Sequence, residues 1–383
     1  VTDDCRVGLR TVARTFLRFG IVGFGGPAAH IALMQDELVD RRAWISRQAF
    51  TDALGVTNLV PGPNSSEMAI HIGYLVAGRT GGLVAGVCFA LPAVVMMTAL
   101  AALYFGLGRL GVPADALAGL QAAAVVVIVF ALWRLRGTVS RVVPAAVAAG
   151  AFALTLWLPR WSAVWVLAGG SATLLERAIE RRGDARGERG AAMTAAAAAM
   201  AVALVAALGI AQLPSLAWVF LKTGALLFGG GYVLVPLLEP EILAHGWLTK
   251  AQFLDGIALG QATPGPIVTT AAFVGFRVTG VLGALVATVA IYLPAFLVVL
   301  AASGPFLRSL RGNPAVRTAA SGFNAAAFGA IAASAISLGR VGLSTPFRIA
   351  VAIAAAAALW RKAPVWAVLL GALVVGVIAS AVR

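Results

Sequence analysis

The chain has 383 residues, 61% of them hydrophobic and only 11% charged, with a formal net charge of +14. Soluble domains carry roughly a quarter charged residues, so a soluble fold is excluded. The Lys and Arg residues are scattered through short connections and form no basic face between stacking aromatics, which excludes nucleic acid as a partner.

The N-terminus, Val1-Thr2-Asp3-Asp4, opens no apolar signal region, so no cleavable secretory peptide is expected; a start at Val1 is read as loss of the first residues. Apolar runs over 83–106, 114–133, 191–213, 281–307, 319–339 and 363–382 approach or exceed the ~20 residues that cross a bilayer as a helix. None alternates polar and apolar, which argues against a β-barrel. The expectation is an all-α polytopic membrane protein. Cys5 and Cys88 lie far apart, and imply neither a disulfide framework nor a zinc site.

Fixed-distance self-similarity organises the whole chain. Phe16-Leu17-Arg18-Phe19-Gly20 returns as Phe220-Leu221-Lys222-Thr223-Gly224, and Phe24-Gly25-Gly26 as Phe228-Gly229-Gly230, both at an offset of 204. At an offset of 203, Trp44-Ile45-Ser46 becomes Trp247-Leu248-Thr249, and Phe50 and Asp52 become Phe253 and Asp255. Asn58 then matches Gln261, and Pro61-Gly62-Pro63 matches Pro264-Gly265-Pro266. Gly73-Tyr74 answers Gly275-Phe276, and Leu91-Pro92 answers Leu293-Pro294. Each unit reads as six helical segments, near 8–40, 46–79, 82–108, 114–136, 139–158 and 161–179, then near 214–243, 249–280, 281–304, 313–339, 345–360 and 363–382. The division is an N-terminal repeat, 1–180; a basic loop and linking transmembrane helix, 181–213; and a C-terminal repeat, 214–383.

Loop charge gives orientation. The connection 177–189 holds five arginines and is placed in the cytoplasm. Counting outward from it puts thirteen basic residues inside and four outside: Arg109, Arg160, Arg340 and Arg348. With one span between them, the units insert with opposite orientations, the inverted-repeat plan of many secondary transporters. The first two segments of each unit either cross the membrane or dip in as re-entrant hairpins; charge counting does not separate these.

Two prolines around a glycine forbid a continuous helix, so 61–63 and 264–266 break the second segment of each unit. Broken backbone at membrane depth survives only when buried in protein or lining a polar cavity. The half-helices that follow, at Asn64-Ser65-Ser66 and Ile267-Val268-Thr269-Thr270, offer free N–H groups and a positive dipole end to an anion. The alternative is a structural kink. The glycine stretches 23–27 and 229–231 either let backbone approach a ligand or allow close helix packing. Arg18 and Lys222 stand at equivalent positions, either as point charges on an anion route or snorkelling to lipid phosphates. Asp52 and Asp255 are the matched acids, read as pairing with Arg18 and Lys222 or gating, or as proton carriers. Glu67 and His71, four apart on one helical face, have no ionisable counterpart in the second unit. They are read as proton-coupling residues or a local buried pair. His30 and His245 receive no role. No His, Cys and carboxylate set has metal-ligand spacing, and no nucleophile–base pair or phosphate loop is present, so neither cofactor nor metal nor catalysis is expected. A membrane protease would need a Ser/His or paired-Asp constellation at membrane depth, which Asp52 and Asp255 do not supply.

Phe24-Gly25-Gly26-Pro27, followed by Trp44, Asp52, Pro61-Gly62-Pro63 and Gly73-Tyr74, resembles the signature region of the chromate ion transporter family. The second copy looks like the second domain of its long, two-domain members. The resemblance implies efflux of chromate across the bacterial cytoplasmic (inner) membrane, energised by the proton motive force; the alternative is a transporter or channel for sulfate or another oxyanion. The breaks and their polar neighbours are expected to form an oxyanion site lined by Gly25, Gly26, Asn58, Pro61, Gly62, Pro63, Asn64, Ser65, Ser66, Gly229, Gly230, Gln261, Pro264, Gly265, Pro266, Thr269 and Thr270, with Arg18 and Lys222 raising the potential. Coupling or gating is expected at Asp52, Glu67, His71 and Asp255. The partners expected are the oxyanion, protons, the lipid bilayer and, as one option, a second copy of the chain. Gly231 stands at the position of Pro27, and Ile267-Val268 at that of Asn64-Ser65, so the two half-sites are not chemically equal.

Overall fold

Apolar helix-forming sequence interrupted by Gly and Pro gives, in the computed structural model, fourteen α-helices and no strand among the described residues, which are 7–57, 62–109, 117–180, 213–228, 230–301 and 314–381. In chain order they are α1 (Leu9–Val22), α2 (Pro27–Gln35), α3 (Arg47–Thr57), α4 (Asn64–Arg109), α5 (Ala118–Leu135), α6 (Val142–Trp157) and α7 (Ser162–Glu180). The second half repeats the order as α8 (Leu213–Ala225), α9 (Leu234–Ala244), α10 (Lys250–Ala262), α11 (Thr270–Ala301), α12 (Pro314–Gly342), α13 (Pro346–Trp360) and α14 (Val365–Ala381). The linking span and most of the basic loop expected before α8 lie outside the described residues. Four stretches, Asn64–Gly106, Ala118–Val139, Ile267–Leu300 and Thr318–Gly342, are long and apolar enough to cross a membrane. Together with the shorter apolar helices this is an all-α, multi-pass membrane protein.

The first two segments of each half fold back on themselves. At about 1.5 Å per residue, the 14 residues of α1 reach only about 21 Å. Beyond Gly26 the chain returns along α1: Arg18 lies 3.7 Å from Glu37, and Arg42 Nη1 donates to Thr15 Oγ1 at 3.2 Å. In the second half Lys222 of α8 pairs in the same way with Glu241 of α9. The next pair is a hairpin too. Gly256 of α10 packs on the ring of Phe273, and Gly260 on Thr270 and Ile267, which places the Pro-Gly-Pro break at the tip.

α4 and α11 each contain a reversal. Ala77 and Gly78 leave helical geometry, as do Thr279 and Gly280, with Gly78 and Gly280 at φ of 67° and 66°, values that glycine adopts at little cost. Gly73 then lies against the Gly81 backbone, and Gly275 against that of Gly283. Eight residues of straight helix would separate these pairs by about 12 Å. The segment boundaries expected at 79/82 and 280/281 fall on these reversals.

The halves interlock instead of forming two lobes. The hairpins pack as α1 on α4, α8 on α11, and α4 on α11. Around them, α5 of the first half packs on α13 and α14 of the second, and α12 of the second packs on α6 and α7 of the first. Equivalent close approaches recur with the halves exchanged: Gly119 on Ala372, and Gly322 on Gly169.

Candidate anion site at the crossed helix breaks

The two Pro-Gly-Pro tips meet the glycine tips of the opposite half. Gly62 N–H donates to Leu227 O at 3.0 Å, and Gly265 N–H donates to Gly23 O at 2.8 Å. Leu227 is the repeat counterpart of Gly23, so one bond is made twice. Gly62 and Gly265 sit at φ of 153° and 101°, and a Cβ on either would collide with Ala295 or Ala93, again equivalent residues. Proline on each side removes competing donors, leaving the glycine N–H free to cross. His30 Nε2 donates to the same Gly23 carbonyl at 2.9 Å, so this histidine, given no role from sequence, braces the junction.

Glu67 occupies the heart of the junction. It is fully buried, its carboxylate lies against Gly62, and neither oxygen has a hydrogen-bond partner among the described residues. His71, a turn further on, is buried with Nδ1 unpartnered. The local Glu67–His71 pair is therefore not formed: the carboxylate turns back to the break, away from the imidazole. Ser66 Oγ is buried beside the Tyr292 hydroxyl. Ser65 is buried, Asn64 is half-buried, and Pro63 O accepts the Ser66 and Glu67 N–H groups at 2.7 and 3.1 Å, which starts α4.

The second half-site offers fewer donors. Thr269 Oγ1 donates to Pro266 O and Thr270 Oγ1 to Ile267 O, each at 2.8 Å. Their hydroxyl protons are committed to the local 3₁₀ turn. Gln261, by contrast, has a buried Nε2 beside the Tyr232 hydroxyl. Gly230 leads into the turn Gly231–Val233 that carries Tyr232. Asn58, Pro61 and Gly229 lie outside the described residues.

Arg18 and Lys222 are not paired with Asp52 and Asp255. Arg18 reaches Glu37, which also receives Arg42 at 2.7 Å and Arg41 at 3.9 Å, and Lys222 takes Glu241. The physical reason is the hairpin fold: the returning arm passes nearest its own outgoing arm. Glu37 and Glu241 are separated by the repeat offset of 204, a signal present in the sequence. Asp52 is half-buried and accepts Gln48 Nε2 at 2.9 Å. Asp255 is 2% exposed and bridges the halves, accepting Tyr104 Oη at 2.7 Å and Gln121 Nε2 at 3.1 Å. No local pattern marked Tyr104 and Gln121, which are more than 130 residues away in sequence.

A cleft of about 420 Å³ opens beside the first glycine tip, lined by Gly25, Phe130, Trp133, Arg134, Trp360 and Lys362 among others. Phe130 stacks on Trp133 at 5.7 Å, and the Arg134 guanidinium lies 4.9 Å over the Phe130 ring. Arg134 is also close enough to Tyr232 to act on it electrostatically.

The family model described as chromate transporter matches residues 10–175 and 214–377, one stretch for each half. The chain belongs to the chromate transporter family. It is 34% identical to a chromate transport protein of Pseudomonas aeruginosa, over 73% of this chain and 69% of that protein. It is 30% identical to a chromate transport protein of Cupriavidus metallidurans, covering 87% and 83% of the two chains. A probable chromate transport protein of Synechococcus elongatus is 30% identical over 97% of this chain and 95% of its own length. No solved structure matches the chain. In this chromate transporter family member, the matched stretches contain Gly23, Gly62, Leu227 and Gly265, the residues of both crossings.

Proposed function

We propose that this protein is a secondary transporter that exports chromate across the bacterial cytoplasmic membrane in exchange for, or together with, protons. The observation that carries the reading is the crossing itself: two broken helices brought tip to tip, with the buried Ser66 hydroxyl, the Gln261 amide and the unbonded Glu67 carboxyl beside them. Buried polar groups are almost always hydrogen-bonded, so the unbonded Glu67 carboxyl at a helix break suits a group that takes up a proton, beside donors that an anion can engage. A tetrahedral dianion accepts from several donors at once, and helix N-termini and the Ser66 and Gln261 donors supply them without metal.

The two halves act as inverted repeats in this reading. Support comes from basic loop counts and from the exchange of contacts between halves, such as Gly62 to Leu227 with Gly265 to Gly23. Reciprocal contacts of this kind accompany a two-fold relation. The cleft at Arg134 and Lys362 is then the cytoplasmic entrance, and Asn64, Ser65, Ser66 and Gln261 receive the anion behind it. Arg18 and Lys222 hold the hairpins in register. Glu67, with Asp255 between the halves, handles protons, while Asp52 and His71 flank the route.

The test is uptake of chromate into proteoliposomes with the cytoplasmic face outward, with and without an imposed pH gradient. Coupled export requires chromate accumulation that the gradient drives. Uptake that only equilibrates would show passive conduction, and no chromate uptake at all would end the reading. Sulfate in parallel decides between these tetrahedral dianions.

A further inference from the structure

A second cleft, of about 410 Å³, includes Arg160, Glu239, Lys250, Ser334, Ser337 and Arg340 in its wall. Its place follows from connectivity. α6 begins just past α5, whose last turns line the Arg134 cleft, and ends at this second cleft. Its 16 residues separate the two by about 24 Å. α13 repeats the relation, starting four residues beyond the end of α12 at the second cleft and ending at Trp360 in the first. The clefts therefore open at opposite ends of the helices.

The charges in the second cleft do not balance. Glu239 is 5% exposed and is the acid of the wall. It accepts Ser337 Oγ at 2.6 Å, Ser337 accepts Lys250 Nζ at 2.8 Å, and Lys250 stands 3.8 Å from the carboxylate. One acid is thus matched to one lysine. Arg160 and Arg340 are exposed and make no ion pair among the described residues. Their guanidinium groups are left to bind an external anion, and the planar fork of arginine suits tetrahedral oxyanions. The first half lacks this arrangement. Gln35 stands at the Glu239 position, and Arg47, at the Lys250 position, is spent on Asp40 at 2.7 Å.

We propose that Arg160 and Arg340, with Lys250 behind them, form a second binding site for a tetrahedral oxyanion, on the face where the cargo leaves. The proposal rests on the export reading above. An anion emerging from the crossing meets a fixed positive cleft, and its release is slowed when the outer concentration is high.

The experiment measures chromate uptake into the same proteoliposomes, loaded with increasing sulfate, so that sulfate acts from the exit face. In the wild type, luminal sulfate inhibits uptake. In R160A/R340A the half-inhibiting concentration rises about tenfold, the equivalent of about 1.4 kcal/mol, and R160K/R340K keeps part of the inhibition. R47A, at the first-half counterpart of Lys250, is inhibited by luminal sulfate as the wild type is. Should the double alanine variant fail to reach the membrane, R160A and R340A are read singly, each with about a threefold rise. Luminal inhibition that the arginine variants leave unmoved overturns the site. So does a second result in liposomes with and without phosphatidylglycerol: if the arginine changes abolish a requirement for that lipid and not the sulfate effect, the cleft holds lipid phosphate. A wild type that takes up no chromate ends the export reading, and the cleft is then tested by sulfate binding to the purified protein, which R160A/R340A weakens about tenfold if the site exists and leaves unchanged if it does not.

Discussion

Gly265 donates its backbone N–H to Gly23 O at 2.8 Å, and the same bond is made by Gly62 to Leu227 O at 3.0 Å with the halves exchanged. Each Pro-Gly-Pro break is therefore held by the half it does not belong to. A side chain at either glycine meets two obstacles. The positive φ, which L-residues rarely adopt, costs of order 1–3 kcal/mol, and a Cβ collides with Ala295 or Ala93. G62A and G265A should each lower the melting temperature and abolish chromate transport. Gly150→Ala, in an exposed helical position with open space around it, should do neither. Melting of detergent-purified protein beside vesicle uptake checks both, and wild-type uptake by G265A would remove the crossing from the transport site.

Arg18–Glu37 and Lys222–Glu241 are one ion pair written twice, and they predict unequal sensitivity. The Arg18 side chain is 61% exposed, whereas Lys222 and Glu241 are 29% and 24% exposed. Exposed pairs contribute about 0–1 kcal/mol, and removing one partner of a more buried pair costs more. Lys222→Ala should therefore reduce transport and thermal stability more than Arg18→Ala. The charge-swapped K222E/E241K should recover much of the loss if the lysine acts by holding α8 to α9. Recovery by the swap argues for the pair; no recovery returns Lys222 to a role as a positive charge on the anion route.

Asp255, Tyr104 and Gln121 make the buried polar bridge between α10, α4 and α5. Tyr104→Phe keeps the ring that packs on Phe105 and Phe273 and deletes only the hydroxyl. A buried acceptor stripped of one donor costs about 1–3 kcal/mol. Y104F should therefore lower the melting temperature, and D255N should lessen that effect. A double-mutant cycle on thermal stability measures the coupling between them. Additive effects would mean the 2.7 Å contact contributes nothing beyond packing.

Much of this was legible in the sequence because it is backbone chemistry. Pro61-Gly62-Pro63 and Pro264-Gly265-Pro266 forbid continuous helix wherever they occur, and their repetition marked both tips in advance. The reversals at Ala77-Gly78 and Thr279-Gly280 fell where the apolar segments were divided. What sequence spacing did not carry was partner choice. Glu37 and Glu241 share the repeat offset, yet only the hairpin fold reveals that they face Arg18 and Lys222. The bond from Gly62 to Leu227 involves backbone atoms alone, so no residue type announces it. Tyr104 and Asp255 lie 151 positions apart, and both clefts are assembled from helix ends distant in the chain.

Glu67 gives the last prediction. Its carboxylate is fully buried against Gly62, with both oxygens unbonded among the described residues. A lone carboxylate in apolar surroundings costs several kcal/mol to keep charged, and an oxyanion entering the same break adds a second negative charge within contact range. On the export reading proposed above, proton and oxyanion bear on one another at this residue: neutralising Glu67 favours the anion, and the anion's departure relaxes the demand for the proton. Thr270, its counterpart, does not titrate, so the first half alone carries the effect. Glu67→Gln, a neutral isostere, should retain chromate counterflow in the absence of a gradient. The imposed pH gradient should no longer accelerate uptake, so that the ratio of the two rates falls to about one, against several-fold in the wild type if the several-kcal/mol penalty is coupled to transport. Gradient stimulation that persists undiminished in E67Q would transfer proton handling to Asp255, the other buried acid between the halves.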